Sequence, residues 1–159
     1  MKYIIRKAAA TDSNEILELI KELAVFEKQP DAVILSEEEL IKSAFNENPW
    51  VYIFVAEMDT KVVGMALYYY GFSTWKGRSL HLEDLIVKEN YRKLGIGKAL
   101  MHRVIHVAKT EKLERMSWEV LDWNEPAVKF YESLNTEFYK DWWLCRLFKE
   151  QLNALDLQP

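Results

Sequence analysis

The sequence predicts a mixed α/β (α+β) fold in the order β-α-α-β-β-β-α-β-α-β-β, and three observations predict it. Apolar residues recur at helical spacing in four separate stretches. Apolar, β-branched and aromatic runs of strand length lie between those stretches. One of the strands, within LEDLIVKENYRKLGIGKAL (Leu82 to Leu100), passes through a turn holding two glycines straight into a helix, the strand–loop–helix unit of a layered α/β system.

Each element follows from local signals. Tyr3 to Lys7 reads as a short strand. Thr11 or Asp12 can cap a helix whose apolar stripe is Ile16, Leu17, Leu19, Ile20, Leu23, Ala24 and Phe26, ended before Gln29-Pro30-Asp31. Ser36-Glu37-Glu38-Glu39 forms a capping box for a second helix, stopped by Asn48-Pro49. Strands at Val51–Met58 and Val62–Tyr70 flank the Asp59-Thr60-Lys61 turn, and a polar loop from Gly71 to Gly77 leads into the strand ending at Val87. In the helix after Gly97, Ala99, Leu100, Val104, Val107 and Ala108 turn inward with the stem of Arg103. Arg115–Leu121 is the next strand. Pro126 stands near the start of the helix that follows, where its missing N–H costs least, and Asn135 closes that helix. Phe138–Tyr139 and Leu144–Lys149 read as the last strands and Asn153–Pro159 as a frayed tail, leaving residues 1–152 as a single domain.

Composition narrows the function. A chain of 159 residues, half of them hydrophobic, supports one globular domain with a sizeable core. A net charge of −4 without a basic run argues against nucleic acid as the main partner and suits a cationic one. The single cysteine, Cys145, cannot close an internal disulfide, which fits a reducing, cytoplasmic setting. No apolar run reaches membrane-spanning length. His102 and His106 stand four apart on a helix, but Arg103 replaces the acid of a zinc motif and no third ligand is evident, so no metal is expected.

The glycine turn carries the chemistry. A strand, two glycines and a helix N-terminus gather unpaired backbone N–H groups at the positive end of a helix dipole, a site for a phosphate group. The nucleotide P-loop is excluded because Ala99 follows Gly97-Lys98 and Arg92 stands where its first Gly belongs. The dinucleotide fingerprint is excluded because Leu100 occupies its third Gly. What remains is R-x-x-G-x-G after an apolar strand, which is also compatible with a plain tight connection.

This run resembles the coenzyme-A pyrophosphate loop of the GNAT superfamily of N-acetyltransferases, and the element order resembles that acyl-CoA N-acyltransferase fold. Four further runs are similar to the diamine acetyltransferases of that superfamily. They are Ala24-Val25-Phe26-Glu27-Lys28; Tyr68-Tyr69-Tyr70 with Ser73-Thr74-Trp75-Lys76-Gly77-Arg78; Leu82-Glu83-Asp84; and Leu121-Asp122-Trp123-Asn124-Glu125-Pro126 with Phe130-Tyr131. The likeness reaches from the N-terminus to about Leu134 and favours the thialysine branch over the polyamine branch, which has an acid where Ser73 stands.

The resemblance implies an acetyl-coenzyme-A-dependent transfer to a primary amine of a small cationic substrate, in a homodimer. Leu85, Ile86 and Val87 pair their backbone with the pantetheine arm, and Arg92, Lys93, Leu94, Gly95, Ile96, Gly97 and Lys98 wrap the pyrophosphate. Asn124 hydrogen-bonds the pantetheine and opens the following helix, whose first residues Glu125, Pro126 and Ala127 complete the cofactor site. Tyr131 is the general acid beside the departing thiolate. Phe26, Glu27 and Glu83 bind the amine, with Glu83 also catalytic. Read from the residue alone, Tyr131 is a helix core tyrosine, and the Asn-Glu-Pro turn at fixed spacing before it turns the reading to catalysis; Glu83 and Asp84 point to opposite faces of one strand. The family's C-terminal acidic pair is replaced by Trp142-Trp143. Acetylation of a protein amine and a non-catalytic coenzyme-A-binding module are the alternatives.

Overall fold

The computed structural model describes residues 2–156. It contains two compact units, Met1–Glu119 and Val120–Pro159.

The first unit is built on a five-stranded sheet: β1 (Ile4–Lys7), β2 (Tyr52–Met58), β3 (Lys61–Ser73), β4 (Gly77–Val87) and β5 (Arg115–Ser117), paired in sequence order. The first three pairings are antiparallel and β4–β5 is parallel. Helices α1 (Ser13–Phe26) and α2 (Glu37–Ala44) cover one face. There Ile16, Leu19 and Leu40 pack with Ile53, Val55, Val62, Met65, Leu67 and Ile86, all buried. Helix α3 (Ile96–Thr110) covers the other face with buried Leu100, Met101 and Val104, and the Arg103 guanidinium lies 5.3 Å from the Phe54 ring centroid. Phe54 falls between Ile53 and Val55, so the period of two sends it to this second face.

Local signals place the helices. Ser36 Oγ accepts the Glu39 N–H at 3.1 Å to open α2, as its capping box predicts. Asp12 acts differently from the expected cap: its carboxylate accepts the Ala9 N–H at 2.7 Å and closes a 3₁₀ turn, Ala10–Asp12, ahead of α1. The same carboxylate receives both Arg6 guanidinium nitrogens, at 2.7 and 2.9 Å, while Arg6 Nε reaches Glu57 at 2.7 Å. This buried carboxylate ties β1 to the entry of α1, and its hydrogen bonds from Arg6 hold its pKa below the ordinary value.

Two strand boundaries move. The loop expected from Gly71 to Gly77 is mostly ladder, with Phe72 opposite Arg78 and Ser73 opposite Gly77. Only Thr74, Trp75 and Lys76 remain between the strands; Ser73 Oγ accepts the Trp75 and Lys76 amides at 3.3 Å, and Gly77 supplies φ +94°. The strand expected over Arg115–Leu121 stops at Ser117.

The second unit holds α4 (Glu125–Glu132) and α5 (Lys149–Ala154). Asn124 Oδ1 accepts the Ala127 N–H at 3.4 Å to open α4, and Asn135 adopts φ +57° just beyond it, the left-handed closure its residue type predicts. The strands expected at Phe138–Tyr139 and Leu144–Lys149 are not formed, and Lys149 begins α5 instead. Their aromatic pattern met the side-chain requirement of a strand, but a strand also needs a ladder partner, and none pairs with them among the described residues. Of the expected tail, Asn153 and Ala154 finish α5, while Leu157, Gln158 and Pro159 lie outside the described residues.

Candidate active site

The centre of the first unit is an irregularity in β4. Leu82 pairs with Tyr68 and Asp84 pairs with Leu67, so Glu83 has no partner and forms a β-bulge. A bulge breaks the period of two. Tyr69 and Leu67 share a face of β3, so their partners His81 and Asp84 share a face of β4 despite being three residues apart. That face also carries Leu67 and Ile86 of the α1/α2 core. The Glu83 carboxylate lies 3.7 Å from His81 Nε2. The expectation that Glu83 and Asp84 point to opposite faces is therefore wrong, because an unbulged strand was assumed. The bulge gathers both acids on one side.

The electrostatics agree with this geometry. Burial raises the Asp84 pKa from 3.8 to about 6, with the charges of Glu83 and Glu27 adding to the rise. Glu27 reaches the cluster from the C-terminal end of α1, directly after Phe26. Three carboxylates thus repel one another around a point in the sheet, an arrangement that an ammonium group relieves. Asp84 was named within the Leu82-Glu83-Asp84 run but given no role, because plain strand alternation places it on the face opposite Glu83.

The C-terminal half of β4 has one open edge. β5 pairs only with Ser79, Leu80 and His81, leaving residues 82–87 without a strand neighbour on that side among the described residues. The Lys88 N–H donates to Val63 O at 2.9 Å, which makes Val87–Gly64 a non-hydrogen-bonded pair and turns the polar groups of Val87 and Leu85 outward. Ile86 alternates with them and directs its carbonyl at β3, where it lies 2.8 Å from the position a Gly64 Cβ would take. Of the three residues expected to pair with pantetheine, Leu85 and Val87 therefore turn their polar groups to the open edge. Val87 O also accepts Arg92 Nε at 3.0 Å, and that guanidinium sits 5.4 Å from the Phe26 ring centroid. The expected amine-site and pyrophosphate-site residues meet at this contact.

The glycine turn has distinct roles for its two glycines. Lys93 (φ +63°) and Gly95 (φ +81°) are left-handed, and Gly95 is the cap residue of α3 with no side chain to satisfy the first-turn amides. Helix α3 begins at Ile96, ahead of the expected start after Gly97, so Gly97 lies inside its first turn. The first intrahelical bond is Ala99 N–H to Gly95 O at 3.0 Å, so the amides of Ile96, Gly97 and Lys98 project ahead of it. A Cβ on Gly97 would meet only Val87 Cγ2, at an ordinary 3.7 Å. The protein does not require Gly97. Its absent side chain leaves the amides open, which fits a pyrophosphate.

In the second unit, Asn124 caps α4, with Glu125, Pro126 and Ala127 in its first turn. Tyr131 is buried, and burial pushes its hydroxyl up to about 12, so it keeps its proton at neutral pH. Ser73, which stands where the polyamine branch has an acid, is committed to the β3–β4 turn through the Trp75 and Lys76 amides. Among the described residues no group of three or more His, Cys, Asp or Glu side chains could hold a metal ion, and no helix is long and apolar enough to cross a membrane.

The profile of the acetyltransferase (GNAT) family matches residues 13–135. The chain belongs to that family. It is an acetyltransferase by that membership, and the matched span runs from the start of α1 to just past α4. Similar proteins agree. Thialysine N-epsilon-acetyltransferase of Bos taurus is 41% identical over 142 residues, covering 84% of either chain. Spermidine/spermine N(1)-acetyltransferase-like protein 1 of Homo sapiens is 36% identical over 158 residues, covering 93% of this chain and 23% of that one. An integron cassette protein of V. cholerae has a similar structure, with a TM-score of 0.77, 25% identity and coverage of 96% of either chain.

Proposed function

We propose that this GNAT acetyltransferase moves the acetyl group of acetyl-coenzyme A directly to a primary amine of a small cationic substrate, a thialysine- or lysine-like amine or a short diamine. The observation that carries this reading is the β4 bulge, which sets Glu83 and Asp84 on one face beside Glu27. Such an amine arrives as an ammonium ion and must lose a proton before it can attack. Glu83 and Glu27 hold the charge. Asp84, with a pKa raised by burial to about 6, is largely ionised at neutral pH, so its Oδ atoms receive the proton.

Acetyl-coenzyme A supplies an acetyl group activated as a thioester. The outward polar groups of Leu85 and Val87 suit its amide-bearing arm, and the open amides of Ile96, Gly97 and Lys98, with Arg92 and Lys93 nearby, suit its pyrophosphate. Asn124, Glu125, Pro126 and Ala127 are assigned to the cofactor by the family resemblance, as is Tyr131 to the general acid, whose Oη gives its proton to the departing sulfur. No covalent acetyl-enzyme is invoked, since Cys145 is exposed and lies on none of these elements. We further propose that both units form one catalytic domain, which the continuous family match supports. A homodimer in the cytoplasm completes the reading. It is supported by the apolar side chains of Tyr139, Trp142, Trp143 and Phe148, which are all exposed in the isolated chain.

Glu83→Gln keeps the shape and removes the charge. The amine KM should rise about three- to tenfold, the KM for acetyl-coenzyme A should stay within twofold, and added salt should shrink the difference. An amine KM equal to that of the wild type removes Glu83 from the site.

A further inference from the structure

We infer that His81, held by Ser117 and braced by Tyr69, is a positioning residue for Glu83. It orients the Glu83 carboxylate toward the cationic substrate. The inference rests on the reading above that Glu83 binds the amine.

The geometry comes from the bulge. His81 is the last residue of β4 that β5 pairs, opposite Ser117, and Glu83 is the unpaired residue two positions on. His81 Nδ1 lies 3.2 Å from Ser117 Oγ, a hydrogen-bond distance. His81 Nε2 lies 3.7 Å from Glu83 Oε2, a charge contact that a small rotation converts into a hydrogen bond. The Tyr69 ring sits against the imidazole, with centroids 5.1 Å apart. A carboxylate beside Nε2 favours a proton there, so the neutral ring presents Nε2–H to Glu83 while Nδ1 accepts from the Ser117 hydroxyl.

Half of the Glu83 side chain is exposed, at 49%, against 23% for His81. A half-exposed carboxylate on an unpaired bulge residue has several rotamers available, and only a fixed neighbour selects among them. His81 is the fixed neighbour, since Nδ1 is held at Ser117 Oγ and one ring face packs on Tyr69.

Charged and titratable groups that reach this cluster include Glu83 and Asp84 on β4, Tyr69 on β3, Glu119 beyond β5, whose charge reaches Tyr69, and Glu27 at the end of α1, whose charge reaches Asp84. A carboxylate held in place among these acids suits a cationic substrate.

Steady-state kinetics on the full chain, with acetyl-coenzyme A saturating and an amine varied, tests this. His81→Phe keeps a ring against Tyr69 and removes both nitrogens. Its amine KM at pH 8 should rise about three- to tenfold, the effect of one lost hydrogen bond, with kcat within about twofold. His81→Gln restores a donor near Nε2 and should recover most of that loss at pH 8. Ser117→Ala should move the amine KM in the same direction as His81→Phe by a smaller factor, and it covers the case in which His81→Phe fails to fold. An unchanged amine KM in these variants, or an equal rise in the KM of both substrates, overturns the inference. Glu83→Gln separates this from the larger reading. If it raises the amine KM while the His81 and Ser117 variants do not, only the inference fails. If it leaves the amine KM unchanged, both fail.

Discussion

Asp84 is a carboxylate inside a sheet with two like charges nearby, and it destabilises the fold at the pH where it is ionised. Its folded pKa, about 6, lies above the ordinary 3.8. The folded chain therefore binds this proton more tightly than the unfolded chain. The stabilising contribution is complete below about pH 4 and is lost as pH rises through about 6. Asp84→Asn should accordingly raise stability by about 1–3 kcal/mol at pH 8, and the gain should vanish near pH 4. The same variant should lower kcat/KM for the amine by about tenfold or more. Thermal melts at the two pH values check the first statement, and equal melting temperatures at pH 8 would contradict it. Tyr131→Phe tests the acid at the other end of the reaction. It should lower kcat by roughly 10²–10⁴-fold with little change in the KM for acetyl-coenzyme A, because only the hydroxyl is removed. A kcat near wild type makes Tyr131 a core residue only. At this scale, the cap that Asn124 makes on α4 was legible because its neighbours in the chain form the pattern. The shared face of His81 and Asp84 was not, because it depends on a bulge whose register is set across strands, by Leu67 and Tyr69.

At the scale of elements, the turn into α3 shows which glycine serves the fold. Gly95 supplies a left-handed cap conformation, whereas Gly97 lies in a helical turn with room for a side chain. Gly97→Ala should therefore stabilise the protein by about 0.5–1 kcal/mol and still weaken coenzyme-A binding. Gly97→Val should lower coenzyme-A affinity about tenfold or more in calorimetry while leaving a folded protein, since its branches lie over the amides of Ile96 and Lys98. Unchanged affinity removes the loop from the cofactor site. The elements that were legible are those with local punctuation: Ser36 and Asn124 opening α2 and α4, Asn135 closing α4, and the tight turn at Asp59-Thr60 between β2 and β3. Those misread lacked it. The Gly71–Gly77 stretch is rich in turn formers, but its backbone is held by the β4 ladder, and Leu144–Lys149 has a strand pattern with no ladder to join.

For the molecule as a whole, the exposed apolar side chains between Tyr139 and Phe148 give the dimer proposal its physical basis, since a lone chain in water gains nothing by showing them. Light scattering at micromolar concentration should give twice the mass of the 18.8 kDa chain, and a monomer mass would contradict it. The fold class was legible because it is a sum over many periodic segments, whereas substrate choice rests on a few side chains around one bulge. That choice is the central claim, and a thiol-release assay at fixed acetyl-coenzyme A tests it most directly. The comparison uses thialysine, lysine, short diamines, spermine and a basic peptide. Turnover should be highest for the thialysine- or lysine-like amines or the short diamines, with spermine and the peptide at least about tenfold lower in kcat/KM, a margin of about 1.4 kcal/mol. Release of thiol with the peptide alone, or with none of these amines although coenzyme A binds, would contradict the account.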